Sequence, residues 1–432
     1  MAHRFPRRTF LASSAAGALT LTGMGPGFRK KEDQLKIGCV GLGKRGETNA
    51  SIILGENMVA LCDVDDANLL PVVERHKDAK AYSDYREMLD KETLDCLVIS
   101  TPDHTHAPIA LAAMNKGIHV YIEKPLAHDF FEVRRIEKKA KETGLVAWMG
   151  NQHHASAGYR RAIELLEAKV IGQVKEIHAW TYRPSWSQGV KRPLEGSPVP
   201  TTLKWDLWLG PAPERPYHPV YHPVGWRGWW DFGGGALADM GPHLLDPVIW
   251  GLKLSSPIAI DATRSDDISP EVAPSWSTIR FAFPARGDLS PVILNWYDGG
   301  KLPPEQIIGA KQPPANGVMV IGETGKLFIP DLGRTPKVIP NTRGESITEP
   351  EVKVSLVRGH HQEWLEACRA KKPDPDNFAI ACRMTELCHL GNIAVRTGKK
   401  LKWNAAKNEF ENMPDANRML ARTYRKGWEL PK

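Results

Sequence analysis

The stretch WDFGGGALADMGPHLLD, residues 230–246, carries an acid and an imidazole four positions apart behind three consecutive glycines. Residues at this spacing share one face of a helix, so Asp239 and His243 are predicted to point the same way. A neighbouring carboxylate raises the basicity of an imidazole and orients it, and His243 could then take the proton of a substrate hydroxyl. The glycines would let the backbone pass close to a flat ligand. In the structural alternative, Asp239 only caps the helix and His243 packs in the core.

A lysine in EKP, residues 123–125, is the second candidate for chemistry. Pro125 restricts the residues before it toward extended backbone at the end of the apolar run IHVYI. Lys124 could there hydrogen-bond a substrate hydroxyl and stabilise the alkoxide that develops when hydride leaves the same carbon. The alternative is an ordinary surface lysine, and a nicotinamide beside this strand end would favour the catalytic interpretation.

The sequence LKIGCVGLGKRGETNASIIL, residues 35–54, has the pattern of a dinucleotide-binding turn. An apolar run of strand length precedes Gly41, Gly43 and Gly46, which match G-x-G-x-x-G, and a helix-like stretch follows them. Such glycines permit a tight turn and let a pyrophosphate approach backbone N–H groups at the N-terminus of the helix. The flanking strand and helix make the match more specific than the glycines alone.

The choice of cofactor depends on Asp63, at the end of the next apolar run, MVALCDV. Its carboxylate would accept hydrogen bonds from the adenosine ribose hydroxyls and would repel a 2′-phosphate. NAD is therefore predicted in preference to NADP. Lys44 and Arg45 weaken that preference, because either side chain could pair with the extra phosphate.

Three further apolar runs, LDCLVIS, IHVYIEKP and LVAWMGN, alternate with helical stretches, and this rhythm predicts a doubly wound parallel sheet. Ligands bind beyond the carboxyl ends of such strands. The residues predicted there to contact the cofactor are Thr101, Pro102, His106, Glu123, Lys124, Asn151 and Gln152. DHTH, residues 103–106, resembles a metal cluster, but a loop against a nicotinamide explains it equally well. We predict no metal there or at the histidine pairs 153–154 and 360–361.

The pattern changes beyond residue 152 to a helix, an alternating strand, an irregular stretch at 184–230, four strand-like segments and two closing helices. The predicted fold class is an α/β Rossmann domain with a parallel sheet, followed by an α+β domain with an open, mostly antiparallel sheet. The predicted limits are a leader at 1–33, the NAD(P)-binding domain at 34–152 and the second domain at 153–432.

The irregular stretch is rich in proline, glycine and tryptophan, and we expect it to cover a pocket. Aromatic faces stack on the C–H surfaces of sugars, and arginine hydrogen-bonds their hydroxyls. The candidate sugar contacts, each of which could instead be a core or surface residue, are Arg160, Trp180, Tyr182 and Arg227.

The segment RFPRRTFLASSAAGALTLTG, residues 4–23, pairs Arg7 with Arg8 ahead of a short, weakly apolar run. That run is too short for a permanent membrane span and is typical of a twin-arginine export signal, which predicts a periplasmic protein. A disordered amphipathic tail is the alternative. Six of the basic residues behind the net charge of +7 lie in this leader, so the folded body is nearly neutral and nucleic-acid binding is not expected. The cysteines show no C-x-x-C spacing, and no disulfide is expected in a protein exported already folded.

Three motifs in order, G-L-G-K-R-G at 41–46, E-K-P at 123–125 and G-G-A-L-A-D-M-G-P-H at 234–243, resemble those of the Gfo/Idh/MocA family, which includes glucose-fructose oxidoreductases and inositol dehydrogenases. The resemblance implies NAD(P)-dependent oxidation or reduction at a secondary alcohol of a sugar or cyclitol. It matches Lys124, Asp239 and His243 to the family's catalytic lysine, aspartate and histidine. It also implies that the open sheet forms contacts in a homo-oligomer, a dimer or a tetramer.

Export would constrain the mechanism, because free nicotinamide dinucleotide is not supplied outside the cytoplasmic membrane. We therefore expect a tightly held NAD that is reset on the enzyme while a secondary hydroxyl of a sugar, sugar derivative or cyclitol is oxidised. A redox-neutral NAD-dependent glycoside hydrolase or epimerase, working through a keto-sugar, ranks second, since the family's glycosidases carry a different segment in place of the D-x-x-x-H helix. A non-catalytic carbohydrate-binding protein ranks third, because all three candidate catalytic residues are present together.

Overall fold

The computed structural model describes residues 33–53, 55–264, 269–310, 312–342, 344–353 and 359–431. The predicted leader therefore lies outside the described residues except for its last position. Nowhere in these ranges is a helix both long enough and apolar enough to cross a bilayer. All six cysteines fall within these ranges, and each is a buried free thiol that forms no disulfide bond.

The first domain is a parallel sheet with helices on both faces. Its strands, within the described chain, are β1 (Lys36–Val40), β2 (Asn57–Cys62), β3 (Lys80–Tyr82), β4 (Cys96–Ile99), β5 (His119–Glu123) and β6 (Ala147–Gly150). The strand order is β3-β2-β1-β4-β5-β6, with every neighbouring pair parallel. The helices are α1 (Lys44–Ile52), α2 (Asp66–Val73), α3 (Tyr85–Lys91), α4 (His106–Asn115) and α5 (Phe130–Thr143).

The short, continuously apolar strands are explained by burial on both faces. In β4, Leu97 and Ile99 pack toward one hydrophobic core, whereas Cys96 and Val98 pack toward the other. Aspartates start three of the helices, since Asp65, Asp84 and Asp129 accept hydrogen bonds from backbone N–H groups in the first turns of α2, α3 and α5. The predicted doubly wound sheet is confirmed.

The second domain is built on a mostly antiparallel open sheet, as predicted. Its described strands are β7 (Val174–Thr181), β8 (Ala259–Arg264), β9 (Ser277–Phe283), β10 (Val292–Tyr297), β11 (Asn316–Gly322), β12 (Gly325–Pro330), β13 (Lys337–Pro340), β14 (Leu401–Asn404) and β15 (Glu409–Phe410). Their order is β13-β12-β11-β7-β10-β9-β8-β14-β15, and β7 pairs in parallel with β10. Along β9 and β10 buried residues alternate with more exposed ones, so one face of the sheet packs on the core.

The helices of the second half are α6 (Ala157–Glu167), α7 (Trp205–Leu209), α8 (Gly235–Leu244), α9 (Asp246–Gly251), α10 (Glu305–Ile308), α11 (His360–Ala370) and α12 (Pro375–Thr397). The long helix α12 packs against α5 of the first domain and against α8, α9 and β8 of the second. It therefore holds the two domains together along most of its length.

One helix from the C-terminal half belongs to the first domain. On α11, Trp364, Leu365 and Cys368 are buried in the same hydrophobic cluster as Ile37 and Tyr121, from the first-domain strands β1 and β5. The rings of Trp364 and Tyr121 lie 5.3 Å apart between centroids. One face of the parallel sheet of the first domain is therefore covered in part by α11, a helix from the C-terminal half of the chain.

The irregular stretch at 184–230, called the insertion below, contains α7 and a 3₁₀ turn as its described helical elements. Four of its six tryptophans and both of its tyrosines form a hydrophobic cluster of their own with Phe232 and Val272. This cluster gives the insertion a defined structure and sets it over the cleft between the two domains, as the sequence led us to expect.

Candidate active site

The glycine turn after β1 has three glycines with three different environments. Gly41 has φ of +81°, and a Cβ there would stand 2.6 Å from the backbone N of Thr101. A Cβ on Gly46 would stand 1.8 Å from the carbonyl oxygen of Gly41, so α1 and β1 can approach only without it. A Cβ on Gly43 would meet only the side chain of Asn68, 3.9 Å away, on the cavity side. This is the open cradle that a pyrophosphate needs at the start of α1.

Asp63 lies at the end of β2 and holds the turn in place. Its Oδ2 accepts a hydrogen bond from the backbone N of Leu42 at 2.6 Å, and its Oδ1 accepts one from the backbone N of Asp65 at 2.8 Å. Burial raises the pKa of this carboxyl, and the two N–H donors oppose that shift. The two carboxylate oxygens can accept more hydrogen bonds than these N–H groups and the side chain of Asn68 supply, so the group can also serve a ribose, and the residues present fit a bound NAD.

A cavity of about 1170 Å³ runs between the domains from this turn to α8. Most of the residues predicted for the site line it: Gly41, Gly43, Lys44, Arg45, Asp63, Thr101, Pro102, Glu123, Lys124, Gln152, Tyr182, Arg227, Asp239 and His243. Gly46 lies beneath the turn as packing. Like Gly46, four other predicted residues do not line the cavity: His106, Asn151, Arg160 and Trp180.

Lys124, just beyond β5, meets Asp239 of α8 inside the cavity. Its Nζ donates to Oδ1 of Asp239 at 2.7 Å and to the backbone oxygen of the same residue at 2.8 Å. Nε of Arg227 lies 3.8 Å from the same Oδ1. Burial opposes ionisation of Asp239, but the charges of Lys124 and Arg227 outweigh it and lower its pKa to about 2. The carboxylate is therefore charged and fixes the lysine ammonium at the cavity wall.

His243 is oriented by Asn151 rather than by Asp239. Nδ1 of His243 lies 3.0 Å from Oδ1 of Asn151, whose Nδ2 donates to the backbone oxygen of Pro242 and to Oδ2 of Asp246. Since the amide N–H groups of Asn151 are occupied, its oxygen accepts the proton of Nδ1, which leaves the Nε2 lone pair of His243 free.

Asp239 does favour the charged imidazole of His243, as expected, but it does not orient the ring, and its effect on the pKa is outweighed. Burial holds the pKa of His243 well below its ordinary value, and the nearby Lys124 ammonium adds to that effect, while Asp239 opposes it. The imidazole is therefore neutral, the form that can accept a proton. The prediction that Asn151 contacts the cofactor is also corrected, because Asn151 is buried behind His243 and does not line the cavity.

His106 and Glu123 support the loop that carries Lys124. The ring nitrogens of His106 lie 2.8 Å from the oxygen of Pro125 and 2.9 Å from the oxygen of Thr101, and the side chain is fully buried. His106 was predicted as a cofactor contact, but it supports the loop instead, because both of its ring nitrogens face backbone oxygens. Glu123 does reach the cavity, and its Oε1 accepts from Gln152 at 2.8 Å.

Of the four predicted sugar contacts, two line the cavity and two do not. Tyr182 and Arg227 line the cavity, and Tyr182 lies just past the end of β7, where the chain leaves the sheet. Trp180 points into the sheet core, where its Nε1 donates to the oxygen of Pro314 at 2.9 Å. Arg160 forms an ion pair with Glu363 of α11 at 2.7 Å, outside the cavity. Trp180 and Arg160 are therefore structural, because the first is buried in the sheet core and the second is held by its ion pair with α11.

Two further acids, Asp103 of the DHTH segment and Asp246 behind Asn151, were given no role of their own from the sequence. Asp103 lines the cavity, and burial raises its pKa to about 7 against the opposing charges of Arg227 and Lys124. Asp246 accepts from Asn151 and also lies 2.9 Å from Nδ1 of His154. Asp246 closes the 230–246 stretch that also carries Asp239 and His243, and that position was its only sequence signal. Among the described residues, no three His, Cys, Asp or Glu side chains are grouped to hold a metal.

One end of the cleft is built to bind a dinucleotide, and the other can accept a proton and hold a developing oxyanion. This combination defines the protein as a two-domain oxidoreductase that uses a nicotinamide dinucleotide. More particularly, the chain belongs to the Gfo/Idh/MocA oxidoreductase family. The family's NAD-binding Rossmann fold matches residues 35–151, and its C-terminal alpha/beta domain matches residues 163–430.

Characterised relatives match over part of the chain. Inositol 2-dehydrogenase of Salmonella typhimurium is 28% identical over 165 residues, which are 37% of this chain and 49% of that protein. Myo-inositol 2-dehydrogenase of Thermotoga maritima is 25% identical over 142 residues, 32% of this chain and 42% of that one. The chain thus spans about half the length or less of these curated relatives.

Solved structures match over most of the chain. The WlbA dehydrogenase of Bordetella pertussis, in complex with NADH and UDP-GlcNAcA, has a TM-score of 0.61 at 18% identity and covers 86% of this chain and 98% of its own. Levoglucosan dehydrogenase, in complex with NADH and L-sorbose, has a TM-score of 0.58 at 15% identity and covers 85% of this chain and 98% of its own. At these identities the likeness establishes the fold.

Proposed function

We propose that the protein is an NAD-dependent oxidoreductase that acts on a secondary hydroxyl of a sugar, sugar derivative or cyclitol. The observation that carries the proposal is the meeting of Lys124, Asp239 and His243 at one end of the cavity whose other end is the glycine turn. The names of the relatives, which act on inositols or were solved with sugars, support this substrate class.

The residues that would hold the cofactor are Gly43, at the start of α1, and Asp63, toward the ribose. NAD, when bound, supplies the acceptor for the hydride of the carbinol carbon. A carboxylate at position 63 disfavours the 2′-phosphate of NADP, so NAD is the proposed cofactor.

The chain itself handles the proton and the charge. His243, neutral and with Nδ1–H bonded to Asn151, takes the hydroxyl proton on Nε2. The ammonium of Lys124 hydrogen-bonds the same oxygen as negative charge builds on it. Asp239 holds that ammonium in position, and Arg227 compensates the remaining carboxylate charge.

We further propose that the chain is exported by the twin-arginine route, keeps its cofactor bound, and forms homo-oligomers through the open sheet. The paired Arg7 and Arg8 support export, although they lie outside the described residues. Replacing both by lysine in a fusion to a periplasmic reporter should abolish export. Light scattering of the purified protein measures the oligomer, and a monomer would contradict that part of the proposal.

The test of the main proposal is a screen of sugars and cyclitols that follows the nicotinamide absorbance of the bound cofactor. Reduction by at least one of them supports the proposal, and no response from any of them contradicts it. Release of free sugar from an aryl glycoside without net NADH would instead favour the redox-neutral glycoside hydrolase. Conversion of one sugar into its epimer without net NADH would favour the epimerase.

A further inference from the structure

Part of the insertion crosses over the cofactor end of the cleft; residues 202–224 are called the strap below. Its backbone pairs with the segment that follows Asp63: the N of Asp66 donates to the oxygen of Thr202 at 3.0 Å, and the N of Lys204 donates to the oxygen of Val64 at 2.9 Å. Asp65 and Leu203 form an isolated antiparallel bridge. The strap is thus an extra backbone partner for the chain just beyond β2.

A side-chain contact closes the far end of the strap on the same segment. Nε2 of His222 lies 3.0 Å from Oδ2 of Asp65, and both side chains are nearly buried, at 11% and 10% exposure. The other carboxylate oxygen of Asp65 accepts from the backbone N of Ala67 and caps α2. His222 therefore ties the strap to a rigid helix start.

The strap faces the cavity at its nucleotide end. Leu207, Trp208, His222 and Pro223 line the same cavity as Asp63, and Val64 packs against the aromatic cluster of the insertion. From the first domain, the walls of this end include Asn68, Ser83 and Tyr85. Because the acid after β2 marks the ribose in Rossmann domains, this end is the adenosine end.

The C-terminal tail holds the strap from outside. Nε of Arg425 donates to the oxygen of Gly210 at 2.9 Å, and the N of Arg425 donates to the oxygen of Pro211 at 3.1 Å. Trp428 also lines the cavity, with the guanidinium carbon of Arg86 4.2 Å from the centroid of its ring. The adenosine end is thus enclosed by a roof that the Rossmann domain does not supply.

We propose that the strap is the second wall of the adenosine site and a gate that keeps NAD bound between turnovers. This inference rests on the proposed function, for which it explains the retained cofactor. An adenosine moiety enclosed on both sides leaves only when the contacts between the strap and residues 64–66 open. Opening also limits entry, so weakening the gate speeds release and binding together, whereas losing an ordinary ligand contact speeds release alone.

The test loads the full chain with NADH and measures its release and binding by nicotinamide fluorescence. His222→Ala removes the tie to Asp65, and we expect both rates to rise about tenfold, which corresponds to about 1.4 kcal/mol of gate stability. His222→Gln restores an N–H donor of similar reach and should return the rates toward those of the parent. His218→Ala is the matched control, because His218 lies on the same strap but does not line the cavity.

Unchanged rates in His222→Ala would overturn the proposal, and so would a rise in the release rate alone. If His222→Ala does not fold, Asp65→Asn weakens the same contact from the other side while keeping an oxygen for Ala67. The two proposals fail separately. If His222→Ala speeds NADH exchange but no sugar reduces the cofactor, the gate is supported and the proposed function is contradicted. If a sugar reduces the cofactor but the exchange rates of His222→Ala are unchanged, the proposed function is supported and the gate is contradicted.

Discussion

The Nζ atom of Lys124 lies 2.7 Å from Oδ1 of Asp239, although the two residues come from different domains and lie 115 positions apart. Their side chains are only 13% and 12% exposed, so the pair is shielded from bulk water at the cavity wall. The contact makes the position of the catalytic ammonium depend on how the second domain sits against the first. Substitutions of Lys124 and of Asp239 should therefore both weaken the stabilisation of the developing oxyanion.

Removing the ammonium tests its role directly. In Lys124→Met, kcat should fall roughly a hundred- to thousandfold, because the developing oxyanion loses its charged donor, while NADH binding is retained. Sugar-dependent reduction of the cofactor measures the first and fluorescence titration the second. Lys116→Met is the matched control, since Lys116 pairs with exposed Asp90 outside the cavity. An unchanged kcat in Lys124→Met would contradict the role of Lys124 in stabilising the oxyanion.

Asn151 should act as a positioning residue through His243. In Asn151→Ala, kcat should fall about ten- to a hundredfold with little change in KM, because Nδ1 of His243 loses its acceptor. In Asn151→Asp, a carboxylate beside the ring favours the charged imidazole, so the acid limb of the kcat–pH profile should move to higher pH. Two variants with the parent's profile would show that Asn151 only packs.

Substitutions at two glycines of the turn should distinguish an effect on cofactor binding from an effect on folding. Gly43→Ala places its methyl group in the cavity, so we expect an unchanged melting temperature and NAD binding weakened about tenfold or more. Gly46→Ala collides with the oxygen of Gly41 and should lower the free energy of unfolding by roughly 1–3 kcal/mol. Gly55→Ala, with no atom within 4 Å of the new Cβ, is the control. Full NAD affinity in Gly43→Ala would contradict a pyrophosphate at this turn.

Asp63 should set the preference between the two dinucleotides. Asp63→Ser removes the negative charge that repels a 2′-phosphate, so the ratio of NADP to NAD affinity should rise by about tenfold or more. The melting temperature should also fall, because the N–H groups of Leu42 and Asp65 lose the carboxylate. Asp90→Ser, on the exposed surface, controls for loss of charge. An unchanged ratio would mean that Lys44 and Arg45 decide the preference.

The buried histidines predict how stability depends on pH. Burial lowers the pKa of His360 on α11 from 6.5 to about 3, so between these values the unfolded chain binds a proton that the folded chain refuses. The free energy of unfolding must then fall as the pH falls, by at most about 1.4 kcal/mol per pH unit for this residue.

His360→Gln removes that contribution. The stability difference between parent and variant should shrink from about pH 7 to about pH 5 in denaturant titrations. A difference for His360→Gln that does not change with pH would show that His360 has the same pKa in the folded and the unfolded chain, which contradicts the effect of burial.

Local patterns determined much of this protein from the sequence alone. A strand, a glycine turn and a helix follow one another within twenty residues, so their geometry is set by neighbours along the chain. The same holds for Asp239 and His243, whose spacing places them on one side of α8. Both lie at the cavity with Lys124, as the motifs indicated.

Only the tertiary structure decided which partner each of these groups has. Asn151 rather than Asp239 binds His243, Trp180 turns into the core while Tyr182 faces the cleft, and α11 returns from the C-terminal half to cover the first sheet. The strap likewise meets residues 64–66 only through folding. The physical reason is that hydrogen bonds and burial depend on distance in space, and spacing along the chain constrains that distance only within a helix, a strand or a turn.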